Sequence, residues 1–123
     1  MIRIVAMLPL LLACATLAAP AWAQPAGAAV FNRCKVCHSL GAGAHSPVGP
    51  NLHGLFGRTA GTAPGFSFSP AMQKSGVVWN DDTLAQFLRD PQGFIPGNRM
   101  GFPGIKEDKE LADLLTYLKQ ATQ

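Results

Sequence analysis

Residues 34–38 read Cys-Lys-Val-Cys-His, in a chain that has three cysteines in all. Two thiols and an imidazole this close together support three kinds of chemistry: a disulfide, a tetrahedral metal site, or covalent capture of a haem. A disulfide between Cys34 and Cys37 would close too small a loop to stabilise a fold greatly. A redox-active C-x-x-C normally follows a strand in a βαβ unit, and no such strand precedes this one. Zinc takes four ligands from Cys, His or acid. Cys34, Cys37 and His38 supply three, adjacent Cys37 and His38 are awkwardly placed to share one ion, and no second C-x-x-C or H-x-x-x-H follows. C-x-x-C-H is instead the attachment signature of c-type haem. Each thiol can add to one vinyl group at the edge of the ring while the next residue turns its imidazole onto the iron. A hydrogen bond from the other ring nitrogen would fix the tautomer and strengthen the donor.

A ligand for the opposite face of the iron must come from elsewhere in the chain. His45, His53, Met72 and Met100 are the candidates after His38. His45 and His53 follow His38 closely in a glycine-rich stretch, from which the far face could be reached only by a tight wrap. Met72 reads as a flexible apolar filler ahead of a helix. Met100 stands between Gly97 and Gly101, where backbone can approach a flat ring closely, and is expected to supply the thioether.

The elements that must position these groups are few. Val30, Phe31 and Cys34 recur at helical spacing, so a short helix over 27–35 leads into the cysteines. Glycine and proline then interrupt residues 41–70 every few positions, giving a long irregular segment of a kind compact domains seldom carry unless it is functional or wrapped around something. A helix is expected over 80–91, with Asp81 and Asp82 at its start, Leu84, Phe87 and Leu88 on one face, and Pro91 ending it. A second glycine- and proline-rich loop contains Met100. Leu111, Leu114, Leu115 and Leu118 recur at i, i+3, i+4 and i+7 and mark the clearest helix. The expected fold is all-α, with three to four helices and long loops around one haem. Without such a group, these helices could not bury loops carrying Leu52, Leu55, Phe56, Phe66, Phe68, Trp79, Phe94, Ile95 and Phe102.

The start of the chain bears on compartment. Arg3, an apolar run and Ala21-Trp22-Ala23 form the pattern of a secretory signal cut before Gln24, so residues 1–23 read as a leader and residues 24–123 as one domain. Pro9 and Pro20 argue against a membrane anchor, which needs about 20 unbroken apolar residues. Leu11, Leu12, Ala13 and Cys14 loosely resemble a lipoprotein processing site, so lipid anchoring through Cys14 is the alternative to a free periplasmic protein. Beyond Ala23, the ten Lys and Arg less Arg3 face seven acids, a net charge of about +2 without a basic run. Nucleic-acid binding has little support.

Beyond the C-K-V-C-H run, the chain carries "GPNLHGLFGR" at 49–58, "APGFSFSPAM" at 63–72, "VVWNDDTL" at 77–84 and "IPGNRMGFPGI" at 95–105. With Gly27 and Phe31 early and Leu114 and Tyr117 late, it resembles class I cytochrome c over nearly all of residues 25–121, particularly the soluble bacterial members most like the mitochondrial protein. The resemblance implies thioether anchors at Cys34 and Cys37 and axial ligands at His38 and Met100. It implies that the Pro50 carbonyl accepts the His38 imidazole proton, that Arg58 and Trp79 hold a buried propionate, and that Leu52 and Phe102 belong to the pocket. It also implies that Gly27 and Phe31 cross the last helix near Leu114 and Tyr117. Three departures are visible. Phe68, Phe87 and Phe94 stand where mitochondrial relatives usually have tyrosine, so Phe68 has no hydroxyl for a propionate and Phe87 none for the Met100 sulfur. Gln92 and Gly93 replace lysines common before Phe94, and Arg99 replaces the lysine that often precedes the methionine. The lysine ring used for docking is thus largely missing, and partner identity does not transfer.

A His/Met pair leaves no open coordination position, which favours one-electron transfer over chemistry on a substrate, and soft sulfur in a dry pocket raises the reduction potential. The expected function is a soluble, monomeric periplasmic electron carrier without enzymatic activity or small-molecule substrate, working between redox proteins that include membrane-bound ones. Its rivals are the haem subunit of a periplasmic dehydrogenase and a small peroxidase.

Overall fold

The computed structural model describes residues 24–46 and 48–123; the expected leader, its expected cleavage site and Cys14 lie outside them. Five helices follow in order: α1 (Ala26–Phe31), α2 (Pro70–Lys74), α3 (Asp81–Arg89), α4 (Pro91–Phe94) and α5 (Asp108–Ala121). Among the described residues, extended pairing is limited to an isolated bridge between Thr59 and Val78, so the fold is all-α as expected. The helix count exceeds three to four because two single turns, α2 and α4, form where the sequence has no legible periodicity.

Local side chains explain those turns. Ser69 accepts a hydrogen bond from the Met72 amide at 3.1 Å and caps α2, with Pro70 at its first position. Asn80, rather than the following aspartates, caps α3: its Oδ1 accepts from the Thr83 amide while the Thr83 hydroxyl accepts from the Asn80 amide, both at 2.9 Å. Asp81 and Asp82 occupy the first turn, where the helix dipole favours them. Pro91 does end α3, but it also opens α4, whose Gly93 amide donates to Asp90 Oδ1 at 3.0 Å.

The architecture turns on the crossing of α1 with α5. Leu111, Leu114 and Leu118 make the buried face of α5, and the backbones approach so closely at Gly27 that a methyl there would collide with the Asp113 carbonyl and Tyr117 Cβ. Phe31 packs beside Tyr117 with ring centroids 5.6 Å apart, and Leu114 is fully buried. Past Phe31 the chain continues in turns rather than regular helix. The Cys34 and Lys35 amides both donate to the Phe31 carbonyl, and the His38 amide donates to Cys34 at 2.9 Å. The crossing therefore fixes the base from which the cysteine run projects. Exposed Arg33–Glu110 and Lys119–Asp81 pairs add little, as such pairs are worth about 0–1 kcal/mol.

The loops wrap a common interior. Leu55, Trp79 and Ile95 are buried with the helix residues, while Leu52, Phe56, Phe68, Phe94 and Phe102 pack against that core half-buried. This is the burial the sequence demanded of segments too irregular to make a core of their own.

Candidate functional site

Every residue that the sequence nominated for a cofactor site lines one largely apolar cavity of ≈ 400 Å³. The volume is that of a typical site for a small molecule or cofactor. Cys34, Cys37 and His38 contribute from the turns after α1, Pro50 and Leu52 from the following loop, and Arg58 and Phe68 from the next stretch of irregular chain. Trp79 precedes α3, Phe87 lies on it, and Met100 and Phe102 come from the segment between α4 and α5. Trp79 and Phe87 pack against each other at 5.0 Å, forming a continuous aromatic wall.

The geometry around His38 fixes its chemistry. Its Nδ1 lies 2.7 Å from the Pro50 carbonyl, which can only accept, so Nδ1 carries the proton and Nε2 keeps its lone pair. Burial lowers the pKa of the imidazole below its ordinary value, against the opposing pull of the Pro50 hydrogen bond, and favours the neutral ring that a metal requires. The ring is wedged against backbone, since a Cβ at Gly49 would stand 2.5 Å from His38 Cε1.

Cys34 and Cys37 are free thiols, half-buried at the cavity. Burial pushes the Cys34 thiol up, with Arg33 pulling it down and Cys37 adding to the rise. Among the described residues, no three His, Cys, Asp or Glu side chains converge in a metal-binding group, which removes the geometric basis for the zinc reading. Two free thiols and a neutral, oriented imidazole beside an apolar cavity are the groups that a thioether-bound haem uses, and they fit it.

The ligand candidates separate by position. His45 and His53 are exposed and line a different cavity, shared with Arg58. Met72 and Met100 both line the first. Met72 is a buried core residue of α2, whereas Met100 is half-buried in an irregular segment, with its amide hydrogen-bonded to Asn98 Oδ1 at 2.9 Å. Arg58 donates to the carbonyls of His53 at 2.9 Å and Asn51 at 3.3 Å, which uses two of its five N–H donors. Burial lowers its pKa from a value so high that it stays charged. The sequence reading missed Gly49, which packs against the His38 ring, and Asn98, whose Oδ1 holds the Met100 amide. Each stood inside a motif already quoted, but a contact with His38 or a buried amide has no signature in spacing.

Comparison with known proteins agrees with this geometry. The family model described as Cytochrome c matches residues 25–122. Cytochrome c2 of Blastochloris viridis is 48% identical over 104 residues, covering 83% of this chain and 82% of its own. Cytochrome c-550 of Bradyrhizobium diazoefficiens is 45% identical over 95 residues, covering 77% and 70%. Among solved structures, cytochrome cH from Methylobacterium extorquens superposes with a TM-score of 0.72 at 43% identity, over 77% of this chain and 95% of that one. With both C-x-x-C-H cysteines and the adjoining histidine at an apolar cavity and relatives alike over most of their length, the chain belongs to the cytochrome c family: a haem c protein that carries electrons between redox proteins.

Proposed function

We propose that the protein is a soluble periplasmic carrier of single electrons, released from its leader after Ala23, with the haem iron held between His38 and Met100. The observation that carries this reading is that Cys34, Cys37, His38 and Met100 line one apolar cavity, from which His45 and His53 are absent. The bound group supplies the chemistry, a reversible one-electron change at iron. The chain supplies the setting. Cys34 and Cys37 anchor the ring edge, and Pro50 holds the His38 proton on Nδ1 so that Nε2 is available. The Met100 sulfur would be the second protein ligand to the bound group, which would then supply electron transfer rather than chemistry on oxygen or peroxide. Trp79, Phe87, Phe68 and Phe102 line a low-dielectric pocket that disfavours the additional charge of the ferric state and so raises the potential.

The leader-like pattern of residues 1–23 supports a periplasmic site of action. Among the described residues no helix is long and apolar enough to cross a membrane. Membrane-bound donors or acceptors and a monomeric state complete the reading.

The test combines intact mass, acidified-acetone extraction and an optical spectrum on protein recovered from the periplasm. The expected product begins at Gln24, is heavier than the polypeptide by one haem, resists extraction, and shows in the ferric state the weak far-red band of sulfur on iron. An extractable haem or a chain of bare polypeptide mass contradicts the anchors. Rapid peroxide turnover by the fresh, sulfur-ligated protein contradicts the carrier role.

A further inference from the structure

The segment that carries Met100 lies between α4 and α5 and has no regular structure of its own. Arg99 and Gly101 on either side of the methionine are exposed, while Met100 and Phe102 pack half-buried against the core. Polar side chains add a second hold on the backbone. Asn98 is 6% exposed, with its Nδ2 donating to the Pro91 and Ile95 carbonyls, each at 2.8 Å, and its Oδ1 accepting from the Met100 amide at 2.9 Å. One buried amide therefore ties the methionine to both ends of α4. Gln92, at the second position of α4, closes over the same turn from outside. Its Nε2 donates to the Asn98 carbonyl at 2.9 Å, with Asn98 Oδ1 at 3.3 Å and the Met100 carbonyl at 3.4 Å also in reach.

We propose that Gln92 and Asn98 form a polar clamp that positions the Met100 segment, and that Gln92 thereby sets how readily the Met100 sulfur leaves the iron. The proposal rests on Met100 being the axial ligand. Asn98 is the buried half: its loss would take the acceptor from the Met100 amide and one of two donors from each of the Pro91 and Ile95 carbonyls, which keep the Ile95 and Asn98 amides. Gln92 is the adjustable half, because its side chain is exposed and acts through hydrogen bonds rather than packing. In a position where the resembling mitochondrial proteins commonly carry lysine, this chain has a neutral amide that cannot compete for iron and secures the ligand already there. Both residues are positioning residues, since they act on the backbone of Met100 and not on the iron.

The experiment uses ferric holoprotein at fixed neutral pH with cyanide in saturating excess, so that the rate of uptake reports the rate at which the Met100 segment opens. Gln92→Met keeps the length of the side chain and removes the donor. It should accelerate cyanide uptake about two- to tenfold, the range that loss of a hydrogen bond of ordinary strength gives. The far-red band should remain, amide hydrogen exchange at Met100 should speed up, and exchange at Leu114 in the α1–α5 crossing should not change. Gln120→Met on exposed α5 serves as the control and should leave uptake as it was. Unchanged uptake in Gln92→Met, or acceleration matched by faster exchange at Leu114, overturns the clamp. A Met100→Ala variant run in parallel separates the two layers: if it keeps the far-red band, the ligand assignment fails first and the clamp with it; if it loses the band while Gln92→Met behaves as wild type, only the clamp fails.

Discussion

On the His38 side of the cavity, the functional ring is held by its own sequence neighbourhood: Cys34 one turn before it, Gly49 packed against it, and the Pro50 carbonyl 2.7 Å from Nδ1. That neighbourhood hangs from the α1–α5 crossing, where Gly27, Phe31, Leu114 and Tyr117 meet without room for a methyl group. On the Met100 side, the sulfur proposed as ligand stands in an irregular segment tied down by two amide side chains and a four-residue helix. Dense apolar packing is lost only when the whole domain unfolds, whereas a few polar bonds at the surface can open locally. The two faces of one site should therefore differ in how they fail, with the methionine leaving long before the histidine is disturbed.

The largest effect that sharpens this contrast comes from the two methionines. Met100→Ala should abolish the far-red band and lower the reduction potential while leaving most of the fold intact. Met72→Ala should do the reverse: deleting a buried core side chain costs about 2–5 kcal/mol of stability, read from chemical denaturation, and the band should survive. An exchange of these outcomes would move the ligand to α2.

Next in size is Gly27→Ala, which forces a methyl against the Asp113 carbonyl and should destabilise by about 1–3 kcal/mol through overpacking at the crossing. Denaturation should report the loss. The far-red band and cyanide uptake should stay near wild type, because the strain falls on the element that supports His38. An increase in uptake as large as that of Gln92→Met would show that the two sides share one mode of opening.

Raising the pH probes the methionine side alone. In the resembling family a lysine amine replaces the sulfur, but no lysine lies between Lys74 and Lys106 here, and Arg99 carries a guanidinium rather than an amine. Lys106 is itself engaged with the Arg89 carbonyl at 2.9 Å. Magnetic resonance of the ferric protein should therefore show no amine-ligated species at mildly alkaline pH, with hydroxide as the ligand when the sulfur finally leaves. Arg99→Lys should produce the amine form. Its presence in the unaltered protein would mean that Lys74 or Lys106 reaches the iron through a large rearrangement.

The smallest effect concerns Phe87, buried against Trp79 and without a hydroxyl to offer the sulfur. Phe87→Tyr should shift the potential through a new hydrogen bond worth about 0.5–1.5 kcal/mol. A potential that does not move would show that the hydroxyl points away from Met100.

The same contrast explains what could be seen in the sequence. The C-x-x-C-H run is a local signature, and α5 shows its buried leucines at helical spacing, so both are legible without a fold. The turns α2 and α4 have five and four residues, too few for a period, and owe their existence to caps at Ser69 and Asp90. Asn98 carried no signal, and Gln92 stood out only as a missing lysine, because their hydrogen bonds to the Met100 segment appear only when it folds back over α4. The C-x-x-C-H anchor was thus legible from spacing and the pocket lining only through resemblance to a family, while the means of holding the Met100 side came from tertiary closure.

The most direct test of the central claim is a proton spectrum of the ferrous protein with methyl-labelled methionine. Residues 24–123 hold two methionines, Met72 and Met100, and both line the cavity. A methyl bonded through sulfur to the iron sits over the ring face and is shifted far upfield, so Met100 should give one strongly displaced resonance that vanishes in Met100→Ala, with Met72 much closer to its ordinary position. A strongly displaced resonance that belongs to Met72, or none at all, would contradict the account.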